Sequence, residues 1–216
     1  MVAEAPAGSR AEKTRQAILS AAERLFAERG FSATRLEDIA EQVGIRRASM
    51  VYHFKDKREL HAAVITNVLG GLSDEIQGAI EAGLDPIARI EAAVGAWVDY
   101  LGSRPATARI LLRGLANAGR ELPKEWREAA SPLWRLVLKE FVNDPSVRDA
   151  VRGAGEARID PLHVASTIAG ATLFFVAATP MLSPHEQFDP LDPAHIATHK
   201  EELLSILRRL LRLDGS

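Results

Sequence analysis

The sequence predicts an all-α protein with two parts, a short N-terminal set of three helices and a larger C-terminal set of longer ones. Apolar residues recur at the helical spacing i, i+3, i+4 and i+7, beginning with Ile18, Ala21, Ala22 and Leu25. The two-residue alternation of a strand is not found. In addition, glycines and capping residues divide the N-terminal region into short segments, and Asp-Pro pairs open several of the later helices.

The N-terminal region predicts three helices between residues 10 and 56. The first begins at Arg10 and ends at Gly30, a residue that tolerates the positive φ of a helix C-terminus. Thr34 is the expected N-cap of the second helix, with Glu37 completing a capping box. Gly44 ends the second helix and opens a tight turn, after which a short third helix is expected over residues 47–53. This order is the helix-turn-helix pattern, in which the later helix enters the DNA major groove.

Asp56 is predicted to cap the fourth helix, which begins at Lys57 and runs to about residue 82, with Gly70 and Gly71 able to bend it. We assign residues 57–213 to a second domain that this helix links to the first. Its further helices are expected from Pro86, over 106–118, from Pro123 to about 142, and over 194–213. A short helix or loop is expected up to residue 158.

The stretch from Val164 to Leu182 contains no charged residue and is long enough for a transmembrane reading. Hydroxyl side chains and Pro180 dilute it, however, and the helices around it are amphipathic. We therefore expect a helix buried on two sides, one against its own domain and one against a partner subunit, with no membrane contact.

Composition narrows the class of protein. The chain has 216 residues and no cysteine, which excludes disulfides and thiolate chemistry, and its first residues lack the apolar core of a signal peptide. We therefore expect a cytoplasmic protein. Residues 10–61 carry eleven Lys and Arg against eight Asp and Glu, a balance of +3, whereas the remainder has a balance of -5. A basic end on an acidic body is consistent with a DNA-binding domain followed by a second domain.

The third helix supplies candidate DNA contacts. Its apolar side chains are expected to pack inward: Ala48, Met50, Val51 and Phe54. The residues left for its outer face or rim are Arg46, Arg47, Ser49, Tyr52 and His53. Arginine binds guanine through two donors, and hydroxyl and imidazole groups can donate to phosphate. Lys57, at the start of the fourth helix, and Thr34 are further phosphate candidates. The alternative for these residues is a solvated basic helix in an ordinary bundle.

Residues 14–60 resemble the DNA-binding domain of the tetracycline-repressor (TetR) family, through TRQAILSAAERLFAERGFSAT, DIAEQVGI and YHFKDKREL. The resemblance implies a homodimer whose last two long helices pair the subunits, with a C-terminal domain that binds a small-molecule effector. It places the family's DNA contacts at Arg46, Arg47, Ser49, Tyr52, His53 and Lys57. Two positions depart from the family pattern: Ala48 stands where glycine is frequent, and Val51 where many relatives have a second tyrosine.

The effector site is expected to be apolar with a few polar groups. The candidate apolar and aromatic lining residues are Trp97, Tyr100, Leu112, Trp134, Leu138, Phe174 and Phe175. The candidate polar partners are Arg109, Arg113, Asn117 and Thr167. Packing within the core is the competing explanation for each of them.

No cofactor is indicated. His195 and His199 are four residues apart, a spacing that a metal site could use, but they belong to no metal motif, so we expect no metal. Enzyme motifs such as GxSxG and HExxH are missing. The favoured function is a ligand-responsive regulator, a repressor released from a pseudo-palindromic operator by a hydrophobic ligand. Two alternatives stay open, a DNA-binding or architectural protein without a switch and a helical enzyme with an unrecognised site.

Overall fold

The computed structural model describes residues 10–83, 85–147, 160–182 and 189–210, and these are helical apart from short connections. The helices are α1 Arg10–Ala33, α2 Leu36–Val43, α3 Arg47–His53, α4 Lys57–Glu81, α5 Pro86–Ser103, α6 Pro105–Asn117, α7 Lys124–Val137, α8 Pro161–Ala177, α9 Thr179–Leu182 and α10 Pro193–Leu210. A π-helical turn, Leu138–Val142, continues α7. The all-α prediction is confirmed. Most of the segment expected to end at residue 158, and residues 211–213 of the last helix, lie outside the described ranges.

The first three helices form a small head around one apolar core. Ile18 and Phe26 of α1, Ile39 of α2, Met50 of α3 and Phe54 after it are at most 2% exposed. Gly30 (φ 81°, ψ 167°) interrupts the regular geometry of α1 before its last turn, and Gly44 (φ 73°, ψ 32°) ends α2 in the left-handed conformation. Both glycines therefore have the positive φ predicted for them.

The predicted start of α2 is wrong by one residue. Arg35 occupies the N-cap position, and its backbone N–H donates to the Asp38 carboxylate at 3.2 Å. Thr34 is fully buried, and its hydroxyl donates to the Gly30 carbonyl at 2.8 Å. The last turn of α1 leaves carbonyl groups without helical partners, and the threonine hydroxyl satisfies one of them instead of capping α2.

Helix α4 connects the head to the rest of the chain, which we call the body. Asp56 caps it as predicted, accepting from the N–H groups of Arg58 and Glu59 at 2.9 Å. Gly70 and Gly71 do not interrupt the helix. A Cβ at residue 71 would lie 2.7 Å from the Tyr100 hydroxyl oxygen, so this glycine allows α5 to approach α4 closely.

The body is a helical bundle in which α4 packs against α5 and α7, α6 packs against both α1 and α8, and α10 packs against α5. Asp85 and Asp160 cap α5 and α8 with a proline in the first turn, as predicted. The apolar stretch breaks at Ala178 into α8 and the short α9. None of the described helices is long and apolar enough to cross a bilayer.

Candidate DNA-binding surface and ligand cavity

Helix α3 presents one face to solvent and buries the other. Met50 and Phe54 are 0% and 1% exposed, whereas the exposed fraction is 83% for Tyr52 and 48% for Val51. Ala48 is also exposed. The expectation that Ala48 and Val51 pack inward is therefore wrong. On a helix with 3.6 residues per turn, Ala48 and Tyr52 lie opposite Met50, and Val51 lies between Ala48 and Arg47.

Cationic side chains stand at the N-terminal end of this exposed face. The guanidinium of Arg47 lies 3.0 Å from the Glu37 carboxylate of α2, and both side chains are more than half exposed. Arg46 is exposed at the N-cap position and forms no ion pair with the part of the chain that the structure describes. Because exposed ion pairs are weak, a phosphate or a guanine can compete with Glu37 for Arg47.

Two predicted phosphate ligands make contacts within the chain instead: Lys57 holds α4 to the head, and the Thr34 hydroxyl bonds to α1. Lys57 Nζ donates to the carbonyl oxygens of Phe31, Ser32 and Thr34 at 2.7, 3.2 and 2.9 Å. It also lies 4.5 Å from the centre of the Phe31 ring. All three ammonium protons are thus used within the chain, and the buried Thr34 hydroxyl has no access to a phosphate. We therefore leave Lys57 and Thr34 out of the DNA-contacting surface.

The body contains an apolar cavity of about 240 Å³ between α4, α5, α7 and α8. Its lining side chains are almost all hydrocarbon: Ile76, Ile80, Ala93, Val94, Trp97, Ala130, Leu133, Trp134, Leu136, Val137, Phe141, Leu162, Ala165, Ser166, Ile168 and Ala169. Ser166 supplies a hydroxyl, and Trp97, Trp134 and Phe141 are the aromatic walls. No described residue of this lining carries a charge, so the cavity suits an uncharged apolar group.

Of the residues predicted to bind a ligand, Trp97 and Trp134 line this cavity, and the other nine do not. Tyr100 donates to the Val68 carbonyl at 3.2 Å, and burial raises the pKa of its phenol. Phe175 stacks on His199 at 4.2 Å, and Thr167 donates to the His163 carbonyl. Leu112 and Phe174 are exposed. Leu138 and Arg109 are outside the lining as well. The aliphatic lining residues of α4 and α8 were not predicted, since their spacing is that of any buried helix.

The remaining two predicted ligand-binding residues, Arg113 and Asn117, line a cleft of about 380 Å³ at the junction of head and body. Aromatic rings meet there: His61 lies 5.1 Å from Phe26 and 6.3 Å from Trp126, measured between ring centres. Burial lowers the pKa of His61, and Lys57 acts in the same direction while Glu125 opposes it. A neutral imidazole is therefore favoured within this aromatic cluster.

The histidines of α10 are used in packing. His195 Nδ1 lies 2.6 Å from the Asp189 carbonyl oxygen, and His199 stacks on Phe175. Within the described ranges, no three His, Asp or Glu side chains come together as a metal site would require.

An exposed basic face on a short helix after a glycine turn, carried by a compact head, defines a helix-turn-helix DNA-binding protein. Comparison with known families gives the same class. Residues 18–64 match the family model described as bacterial regulatory proteins, tetR family. The chain is 31% identical over 145 residues to the transcriptional repressor KstR2 of Rhodococcus jostii, an alignment that covers 63% of this chain and 69% of that protein. The chain belongs to the tetR family and is a DNA-binding transcriptional regulator.

Solved structures share the whole fold. KstR2 of Mycobacterium tuberculosis, a ketosteroid transcriptional regulator, superposes with a TM-score of 0.66 over 95% of this chain and 94% of its own, at 21% identity. The regulator FadR of Bacillus subtilis, in complex with stearoyl-CoA, gives 0.64 over 88% and 97%, at 16% identity. At such identities the likeness concerns the fold alone.

Proposed function

We propose that this protein is a dimeric repressor whose α3 helices read a pseudo-palindromic operator and which a small hydrophobic ligand releases from DNA. The observation that carries the proposal is the pairing of an exposed basic face on α3 with an uncharged cavity against α4. The proposed DNA contacts are Arg46, Arg47, Ser49, Tyr52 and His53. The proposed domains are 10–56 for DNA binding and 57–213 for ligand binding and pairing.

Helix α4 is the proposed link between ligand and DNA. It has 25 residues, roughly 37 Å at the rise of an α-helix. Ile76 and Ile80 near its C-terminal end line the cavity, and Lys57 at its N-terminal end holds three carbonyls at the end of α1 and just beyond. A ligand that displaces the far end of α4 therefore acts on the head directly.

Helix α6 provides a second connection. Thr107 donates to the Glu23 carboxylate of α1 at 2.9 Å, and Arg113 donates to the Glu28 carbonyl at 3.3 Å. Because α6 also packs against α8, a wall of the cavity, movement of α8 reaches α1 by this route. Release still requires that the ligand bind the DNA-incompetent arrangement more tightly than the competent one.

The dimer is proposed to pair through α8 and α10. Phe174 and Ile206 are 56% and 47% exposed, and Met181 and Leu182 of the neighbouring α9 are 70% and 68% exposed. Pairing with a second subunit would cover these exposed apolar side chains, as is typical of a protein interface. Pairing would place two α3 helices about 34–36 Å apart, one turn of DNA.

DNA binding is tested by selecting bound duplexes from a random pool at a stated salt concentration, since affinity depends steeply on salt. We expect a palindrome with two half-sites. Arg47→Ala should reduce affinity for the selected site by about 5- to 150-fold, the range for losing a bidentate base contact, and affinity for random DNA by much less. Equal losses on both would show that Arg47 only touches phosphate.

The ligand site is tested by thermal shift and operator release with two probes, a steroid ketone and stearoyl-CoA. A bound probe should raise the melting temperature and weaken operator binding. Ala169→Phe, which fills the cavity, should abolish both effects and leave operator binding intact, whereas Ala82→Phe, at an exposed alanine, should change neither. Operator binding that no cavity ligand alters would favour the alternative, a DNA-binding protein without a small-molecule switch.

A further inference from the structure

We propose that Val51, with Ala48 beside it, reads the methyl group of a thymine in the operator half-site. This inference rests on the proposed function, because it takes α3 as the helix that enters the major groove. The structure supports this inference because Val51 and Ala48 lie on the outer face of α3, although the sequence pattern predicts that they are buried.

The exposure of Val51 is not a result of loose packing. Its neighbour Met50 is 0% exposed and Phe54 is 1% exposed, so the inner face of α3 is fully packed. Valine is also a weaker helix former than alanine, leucine or the longer charged residues. The other strongly exposed aliphatic side chains of the described residues lie in the body, on α6, α9 and α10. Val51 therefore keeps about half of its surface open to solvent, 48%, on the face that DNA would cover.

Its neighbours define what it can touch. Val51 follows Arg47 by one turn and Ala48 by three residues, and Tyr52 beside it is 83% exposed. Docking the charged and hydroxyl groups on phosphates and base edges brings Val51 toward the floor of the groove. Among the major-groove edges, thymine alone presents a methyl group, and apolar side chains recognise it by contact.

The position along the helix predicts where the thymine lies. Residues four apart on an α-helix are separated by about 6 Å, and successive bases on one strand by about 3.4 Å. The thymine should therefore lie one or two base pairs from the guanine that Arg47 contacts. A tyrosine at residue 51 would offer a hydroxyl to phosphate, and valine replaces that contact with one to a base.

The test uses the full-length protein and the duplex recovered by selection from a random pool. Each thymine is replaced in turn by uracil, which differs from it in the major groove only by the missing methyl. For the wild type, one position in each half-site should lower affinity about fourfold, the value for burying one methyl group. Val51→Ala should bind the thymine and uracil duplexes with nearly equal affinity.

Leu115→Ala is the matched control, because it removes an aliphatic side chain of similar exposure, 52%, from α6. It should keep the fourfold preference for thymine. Thermal unfolding of both variants checks that the exposed substitutions leave the fold intact. Uracil tolerated at every position, or a thymine preference that persists in Val51→Ala, would overturn the role of Val51 while the proposed operator binding stands. Selection that recovers no preferred sequence would overturn both the role of Val51 and the proposed operator binding.

Discussion

The outer face of α3 and the wall of the body cavity use side chains in opposite ways. On α3 the apolar residues Met50 and Phe54 are buried beneath an exposed face of polar, charged and small apolar groups. Around the cavity, apolar side chains such as Ile76 and Val94 face a space of about 240 Å³. The first surface is complementary to a charged, hydrated partner and the second to an uncharged one.

Charged groups follow the same division. Arg46 is exposed, and Glu37, the ion-pair partner of Arg47, is itself solvent-exposed, so both arginines can bind DNA. In the body, Arg89 donates to Glu140 at 2.9 Å and to Asp144 at 3.2 Å. Burial alone would raise the pKa of Glu140, but hydrogen bonds from Lys139 and Arg89 outweigh burial and lower it. Arg46 and Arg47 are thus available to a partner, whereas carboxylates neutralise Arg89 within the body.

The largest expected difference is between substitutions on the two faces of α3, measured as the change in the free energy of unfolding. Phe54→Ala removes a ring that is 1% exposed, and the cavity left behind should lower the free energy of unfolding by about 3–5 kcal/mol. Tyr52→Ala, on the outer face, should change it by less than about 0.5 kcal/mol. Urea denaturation followed by circular dichroism measures both. Similar values for the two variants would contradict the division of α3 into a packed and a recognition face.

Breaking an ion pair should lower the free energy of unfolding when the pair lies in the body but not when it lies on the head. Arg89→Leu leaves Glu140, 3% exposed, with Lys139 as its remaining partner. The free energy of unfolding should fall by about 2–3 kcal/mol, less than the roughly 3–5 kcal/mol typical of a buried pair, because that second cation stays.

Glu37→Gln is the matched change on the head, since it breaks the exposed pair with Arg47. It should alter the free energy of unfolding by less than about 0.5 kcal/mol and strengthen binding to random DNA, because a negative charge beside the DNA-binding surface is removed. A large loss of stability in Glu37→Gln would show that the head also depends on its ion pairs.

The smallest expected effect is a pH dependence of the free energy of unfolding that arises from His61, at the junction of head and body. Burial lowers the pKa of His61, so the unfolded chain, with a histidine pKa of about 6.5, binds more protons than the folded one. The stability that this histidine contributes is therefore present above about pH 6.5 and is lost as the pH falls through its folded-state pKa.

Unfolding measured at neutral pH and at about pH 5 should show a smaller acid-induced loss in His61→Phe than in the wild type. His163→Phe, at an exposed histidine, is the control and should behave like the wild type. Some pH dependence should remain in both, because burial also lowers the pKa of His199. An unchanged acid loss in His61→Phe would show that the aromatic cluster tolerates a charged imidazole.

Local rules predicted most of the fold. The left-handed Gly44, the Asp56 cap and the Asp85-Pro86 start are decided by residues within about four positions of one another. The helix-turn-helix and its family follow from the same local pattern. Side-chain roles were predicted less well. Val51 was expected inside because an apolar residue usually packs, and only the orientation of α3 on the head reverses that.

What the sequence by itself determined is the set of helices, their caps and the presence of a DNA-reading head. Tertiary structure alone decided that Lys57 holds carbonyls more than twenty residues away, that Thr34 is buried, and that Val51 faces outward. It also decided that residues of four separate helices leave an uncharged cavity. The physical reason is range: caps and turns depend on near neighbours along the chain, whereas exposure and enclosure depend on which distant segments pack together.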